Sequence, residues 1–285
     1  MKFRLILQTA IITLCLLSIT SSFFKPKIED HSKNLGHSWE EYDPSFFNRF
    51  QTVDAIIAEA NRKFDLSKRN TLEYFNYIDE LIRKRFYHGY SYYSMSDNPL
   101  AFLGGKIYLD LSAIVIPDDI MKHPMAACSQ QSVVLMEIFK RCHVDYKKVG
   151  FDHHYATEAR INNEWYFFDP NVEPKIEGKR ESLEKLISNG SLDSVYGNVT
   201  LSSNDLHKML GHPYYGKINA TPAPRAELLH KFCFRIVSKY FLIPALLFLM
   251  IFIVPSSALY RNSLEKIYSL VRIPVQRNGS VKIKD

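Results

Sequence analysis

The 285-residue chain holds only four cysteines, with no C-x-x-C and no H-E-x-x-H spacing. Four scattered cysteines make no disulfide framework, and a domain of this size needs none. His143, Asp152, His153 and His154 cluster in sequence near Cys142. Adjacent histidines on a strand point to opposite faces, however, so this cluster does not read as a metal site. No metal and no cofactor is expected. No internal repeat is present. A large surplus of charge of one sign is also missing from most of the chain. The net charge is +6, and the surplus lies in the two ends, in Lys2 and Arg4 and in the basic tail 261–285. The neutral stretch between them gives no reason to expect nucleic-acid binding.

Two apolar runs bracket that neutral stretch. Lys2 and Arg4 precede the first, from Leu5 to about Ile19 with Phe23 and Phe24 beyond it. Residues 1–24 therefore read as a signal anchor or signal peptide, although no A-x-A cleavage site follows. The second run, 240–260, carries no charge and matches a bilayer core in length. It is expected to be a transmembrane helix with Tyr240 and Tyr260 at the interfaces. The basic ends favour the cytoplasm for both termini and an extracytoplasmic main domain, although Lys231, Arg235 and Lys239 oppose that orientation. Residues 25–50 read as a juxtamembrane connector and 51–235 as the domain.

Within the domain, residues 52–64 have helical character. Leu72, Phe75, Ile78, Leu81 and Ile82 recur at helical spacing in 71–87. Gly89, Pro99, Gly104, Gly105, Pro117 and Pro124 predict loops and short strands over 88–127. A further helix is predicted over 128–142, then three strand-like runs at 146–151, 154–161 and 164–169. A short helix is expected at 181–188, and 190–225 reads as loop-dominated. The tyrosines of 87–93 either line a cleft or, more in keeping with their number, pack core and surface.

Asn162 and Asn163 separate the last two strand runs, and Asn tolerates the positive φ that a two-residue hairpin loop needs. With that loop, Ile161 faces Glu164, and His154 and Asp169 become diagonal neighbours on one face. His153 points the other way. Asp169 can then hold one imidazole nitrogen and leave the other free as a base. Cys128 opens the 128–142 helix, where unpaired amides and the helix dipole favour a thiolate. Ala156 is small enough to let that helix end approach His154, while Glu158 and Arg160 lie further along the same face to pair or to contact substrate.

The stretch from Cys128 to Asn171 resembles the transglutaminase-like superfamily of papain-like folds. There a Cys opens a helix, an H-x-x-x-E strand follows, and a W-x-x-x-D-P strand comes after a tight turn. His154 to Glu158, Trp165 to Asp169 and Asp169-Pro170 fit, while Ala126 stands where that family usually has Gly. The resemblance implies an α+β papain/transglutaminase-like fold, with the helix-borne Cys packed on a small antiparallel sheet carrying His and Asp, here with flanking transmembrane helices. It implies Cys128 as nucleophile, His154 as general base and then acid, and Asp169 as orienting carboxylate. The expected function is acyl transfer or amide hydrolysis through a thioester. The substrate would be a peptide, a protein or an envelope polymer, with a membrane-complex partner also possible. The rival is a non-catalytic adaptor that keeps the fold.

Overall fold

The computed structural model describes residues 40–172, 180–196 and 203–222, together with Ile6, Thr9, Ala10 and Thr13. The described helices are α1 (Pro44–Arg49), α2 (Val53–Lys63), α3 (Leu72–Arg85), α4 (Pro99–Gly105), α5 (Pro117–Ile120), α6 (Cys128–Arg141), α7 (Leu183–Ser188), α8 (Leu192–Val195) and α9 (Ser203–Leu210). Four strands, β1 (Asp145–Gly150), β2 (Tyr155–Ile161), β3 (Glu164–Phe168) and β4 (Tyr214–Tyr215), form one antiparallel sheet in the order β3-β2-β1-β4. The described residues are α+β, with a small four-stranded antiparallel sheet.

Local chemistry sets the helix boundaries. The Thr52 and Thr71 side chains accept the backbone N–H of Ala55 and Tyr74, satisfying first-turn donors of α2 and α3. In α6, Val134, Leu135, Ile138 and Phe139 recur at three- and four-residue spacing, and all are fully buried. They pack with Phe75, Ile78 and Ile82 of α3 on one side and Ala159, Ile161 and Phe168 of the sheet on the other. The Phe139 ring lies 5.0 Å from Phe75 and 5.3 Å from Phe168, so one ring bridges three layers. The opposite face of the sheet carries Val149, Ala156 and Phe167 against Leu183, Leu186, Leu192, Tyr196 and Leu210.

Several expectations are corrected. Among the described residues no helix is long and apolar enough to cross a membrane, against the expected flanking transmembrane helices. The longest described helices, α3 and α6, have 14 residues each. At 1.5 Å per residue they reach about 21 Å, short of a hydrocarbon core of about 30 Å. The run 240–260 lies outside the described residues, as does 1–24 apart from the four residues named above. The domain also begins before residue 51: Asp43 donates its N–H to the Lys84 carbonyl, and Phe50 is buried in the core. Residues 88–127 form short helices where strands were expected, because Asn98 caps α4 through the Ala101 N–H and Pro99 and Pro117 start helices rather than break them. Residues 190–222 supply α8, α9 and the edge strand β4.

Arg85 is the other organiser. Fully buried, it donates from Nε to the Phe50 carbonyl at 2.8 Å, from Nη1 to the His123 carbonyl at 2.9 Å, and from Nη2 to the Met121 carbonyl. Burial pushes its pKa down to about 9. These bonds fix the segment that leads into Cys128. Phe139→Ala removes the bridging ring and should cost about 3–5 kcal/mol, read as a lower urea midpoint with the denaturant slope kept. An unchanged midpoint would mean that the three layers do not share this core.

Candidate active site

The three residues come from three chain segments, each held by its own local rule. Asn162 and Asn163 take φ of 52° and 65°, and Ile161 pairs with Glu164, so the β2–β3 register is the one the sequence implies. At the other end of β2, Phe151 N–H bonds the His154 carbonyl at 2.9 Å and closes a tight turn over Asp152 and His153. His153 adopts a positive φ of 63°. The turn leaves Asp152 and His153 out in solvent and His154 in, only 3% exposed.

His154 Nε2 lies 2.7 Å from Asp169 Oδ2. The same oxygen accepts the Tyr196 hydroxyl at 2.9 Å, and Asp169 Oδ1 accepts the Val172 N–H at 3.4 Å. The imidazole stacks on the Phe151 ring, centroids 5.8 Å apart. The Cys128 thiol also acts on this imidazole. Burial opposes the imidazolium, but the Asp169 charge and hydrogen bond, aided by Cys128, outweigh it and push the His154 pKa up to about 10. Behind Asp169 stands a second buried pair, Asp79 and Arg180 at 3.2 Å. Burial raises the Asp79 pKa, with the nearby Asp169 adding to the rise, while Arg180 and Arg83 hold it down.

Cys128 is the first residue of α6 and 7% exposed. Its own amide and that of Ser129 lie in the first turn, where helix geometry supplies no backbone acceptor. Gln130, which the sequence reading passed over, fixes this turn. Its Oε1 accepts the Ala127 N–H at 3.2 Å and the Ser91 N–H at 2.9 Å. Its Nε2 donates to the Ser91 and Ile114 carbonyls at 2.9 and 2.8 Å. A glutamine at the third position of a helix, the place of the capping-box partner, was the signal available. The clamp lays residues 87–93 beside the start of α6. Tyr87 and Tyr93 of that segment are buried, Tyr90 is exposed, and His88 Nδ1 meets the Asn171 amide within 3.1 Å.

Glu158 and Arg160 both pair, the first of the two roles expected of them. Glu158 accepts the Leu183 N–H at 2.8 Å and Lys147 Nζ at 2.9 Å, so it anchors the start of α7. Arg160 pairs with Asp145. Ala156 packs with Val149 and Phe167 in the cluster on the face away from α6, so it does not line the approach of that helix. A cavity of about 470 Å³ lined by Lys63, Tyr77, Glu80, Arg83 and Arg180, among others, includes none of the three residues. Among the described residues no three of His, Cys, Asp and Glu come together as metal ligands. No protein-family model, curated protein or solved structure matches the chain.

The raised His154 pKa links charge to stability. Below the ordinary value of 6.5 both folded and unfolded states hold the proton, and above it the folded state alone keeps it up to about 10. The stabilisation is therefore complete below 6.5 and is lost as pH rises through 10. Urea midpoints should fall between pH 6.5 and 10, and fall less steeply in Asp169→Asn. Parallel slopes in the two proteins would remove Asp169 as the cause.

Proposed function

We propose that this chain is a cysteine-dependent enzyme of the transglutaminase-like kind, acting on an amide or ester of a peptide, protein or polymer. The feature that carries the proposal is the buried His154–Asp169 pair, 2.7 Å apart, with Cys128 at the start of α6 acting on the same imidazole and the His154 pKa pushed up to about 10. The three groups sit at the end of a sheet and the start of a helix, and both positions are fixed by the surrounding backbone.

In this reading the Cys128 sulfur attacks the substrate carbonyl carbon as a thiolate. The carbonyl π pair moves onto oxygen, where first-turn amides of α6 can stabilise it. As the tetrahedral intermediate collapses, the bond to the leaving amine or alcohol breaks and His154 gives that group a proton. An acyl thioester on Cys128 remains. Water or an amine then attacks the thioester, neutral His154 takes the proton from the attacker, and the Cys128 sulfur leaves. Hydrolysis and transamidation differ only in that second nucleophile. Asp169 stabilises the imidazolium and keeps the ring oriented throughout.

A second reading, a fold-retaining adaptor without chemistry, is favoured by one observation. Cys128 and His154 are nearly sealed, at 7% and 3% exposure. Substrate entry would require residues 87–93 to give way. Iodoacetamide labelling separates the two. At pH 6 Cys128 should react at least roughly tenfold faster than an ordinary thiol, with a free cysteine peptide as the reference. His154→Ala should abolish that excess, and Cys128→Ser should leave that position unlabelled. Slow labelling of Cys128 that His154→Ala leaves unaltered would sink the enzyme reading and leave the adaptor.

A further inference from the structure

Asp169 Oδ2 has two donors, one on each side: His154 Nε2 from the start of β2 at 2.7 Å and the Tyr196 hydroxyl from the end of α8 at 2.9 Å. Tyr196 is 2% exposed, and its ring packs with Leu183, Leu186, Leu192 and Leu210 on the face of the sheet away from α6. The hydroxyl therefore reaches the site from a layer that contributes none of the three central residues. A buried carboxylate is costly unless its oxygens are bonded. This one also stands near a like charge, Asp79, which pairs with Arg180 at 3.2 Å.

We infer that Tyr196 is a positioning residue of the site, holding Asp169 Oδ2 toward the imidazole by donating its hydroxyl to the same oxygen. The inference rests on the thiol-enzyme reading and adds a fourth residue to it. The charged or titratable groups around Asp169 are His154 from β2, Cys128 beyond it from α6, Asp79 from α3, Arg180 from the segment before α7, and Tyr196 from α8. Of these, Tyr196 alone is a neutral donor to the carboxylate. Without it, Asp169 Oδ2 loses one of the bonds that hold it toward the imidazole. The thiolate that the oriented imidazolium supports should then take up its proton at a higher pH as the solution is acidified.

The test is the acid limb of Cys128 labelling by iodoacetamide in the full chain, followed on the Cys128 peptide by mass spectrometry between pH 4 and 9. Tyr196→Phe removes one oxygen and keeps the ring that packs the cluster. Leu186→Ala opens a cavity in the same cluster and keeps the hydroxyl. The acid limb should move up by roughly one pH unit in Tyr196→Phe and stay in place in Leu186→Ala. A Tyr196→Phe profile that superimposes on the parent would overturn the role of Tyr196 while leaving the activated thiol intact. Equal shifts in both variants would reduce Tyr196 to packing and overturn it as well. A parent profile with no reactivity at acid pH would defeat the thiol-enzyme reading, and the role of Tyr196 with it.

Discussion

Everything around the site depends on keeping one charge pair ionised in the dark of the protein: the His154 imidazolium and the Asp169 carboxylate, 2.7 Å apart and both almost wholly buried. Desolvating two charges costs several kcal/mol each, and mutual attraction repays this only when the remaining polar atoms are also bonded. The structure meets that condition. The Tyr196 hydroxyl and the Val172 amide both donate to the carboxylate. Phe151 covers the imidazole face. A solvent-exposed version of the same pair would be screened and would shift the imidazole little.

Two independent scaffolds meet at that pair. One is the hairpin of β2 and β3, which brings His154 and Asp169 together through register alone. The other is α6, whose buried stripe locks it between α3 and the sheet and whose first turn is tied down by Gln130. Arg85 links the second scaffold to α1 by bonding the carbonyls of Phe50, Met121 and His123. The thiol is thus delivered by the first residue of a helix that packs on one face of the sheet, while Tyr196 is delivered from the other face. The site is a junction of both hydrophobic clusters, which gives each of them a part in the chemistry proposed here.

The sequence made the hairpin legible because its signals are local. Two asparagines fix the loop, period-two alternation fixes the faces, and together they select His154 over its neighbour without reference to the rest of the chain. The α6 helix was legible for the same reason. What escaped notice is held by long-range bonds. Nothing near Tyr196 in sequence announces a partner 27 residues away. The short helices of 88–127 were hidden because Pro and Gly mark both helix starts and loops, and only the cap of Asn98 on Ala101 decides between them. That Glu158 would pair was legible, but alternation shows only which face a residue occupies and not which helix end will arrive to use it.

The central claim is that His154 is charged at neutral pH because Asp169 makes it so. The most direct measurement is the ring ¹⁵N chemical shifts of His154 in the full chain between pH 5 and 10. The account predicts an imidazolium with both nitrogens protonated through pH 8, and a change to neutral imidazole at lower pH when Asp169 is replaced by Asn. A His154 already neutral at pH 7 in the parent protein would contradict it.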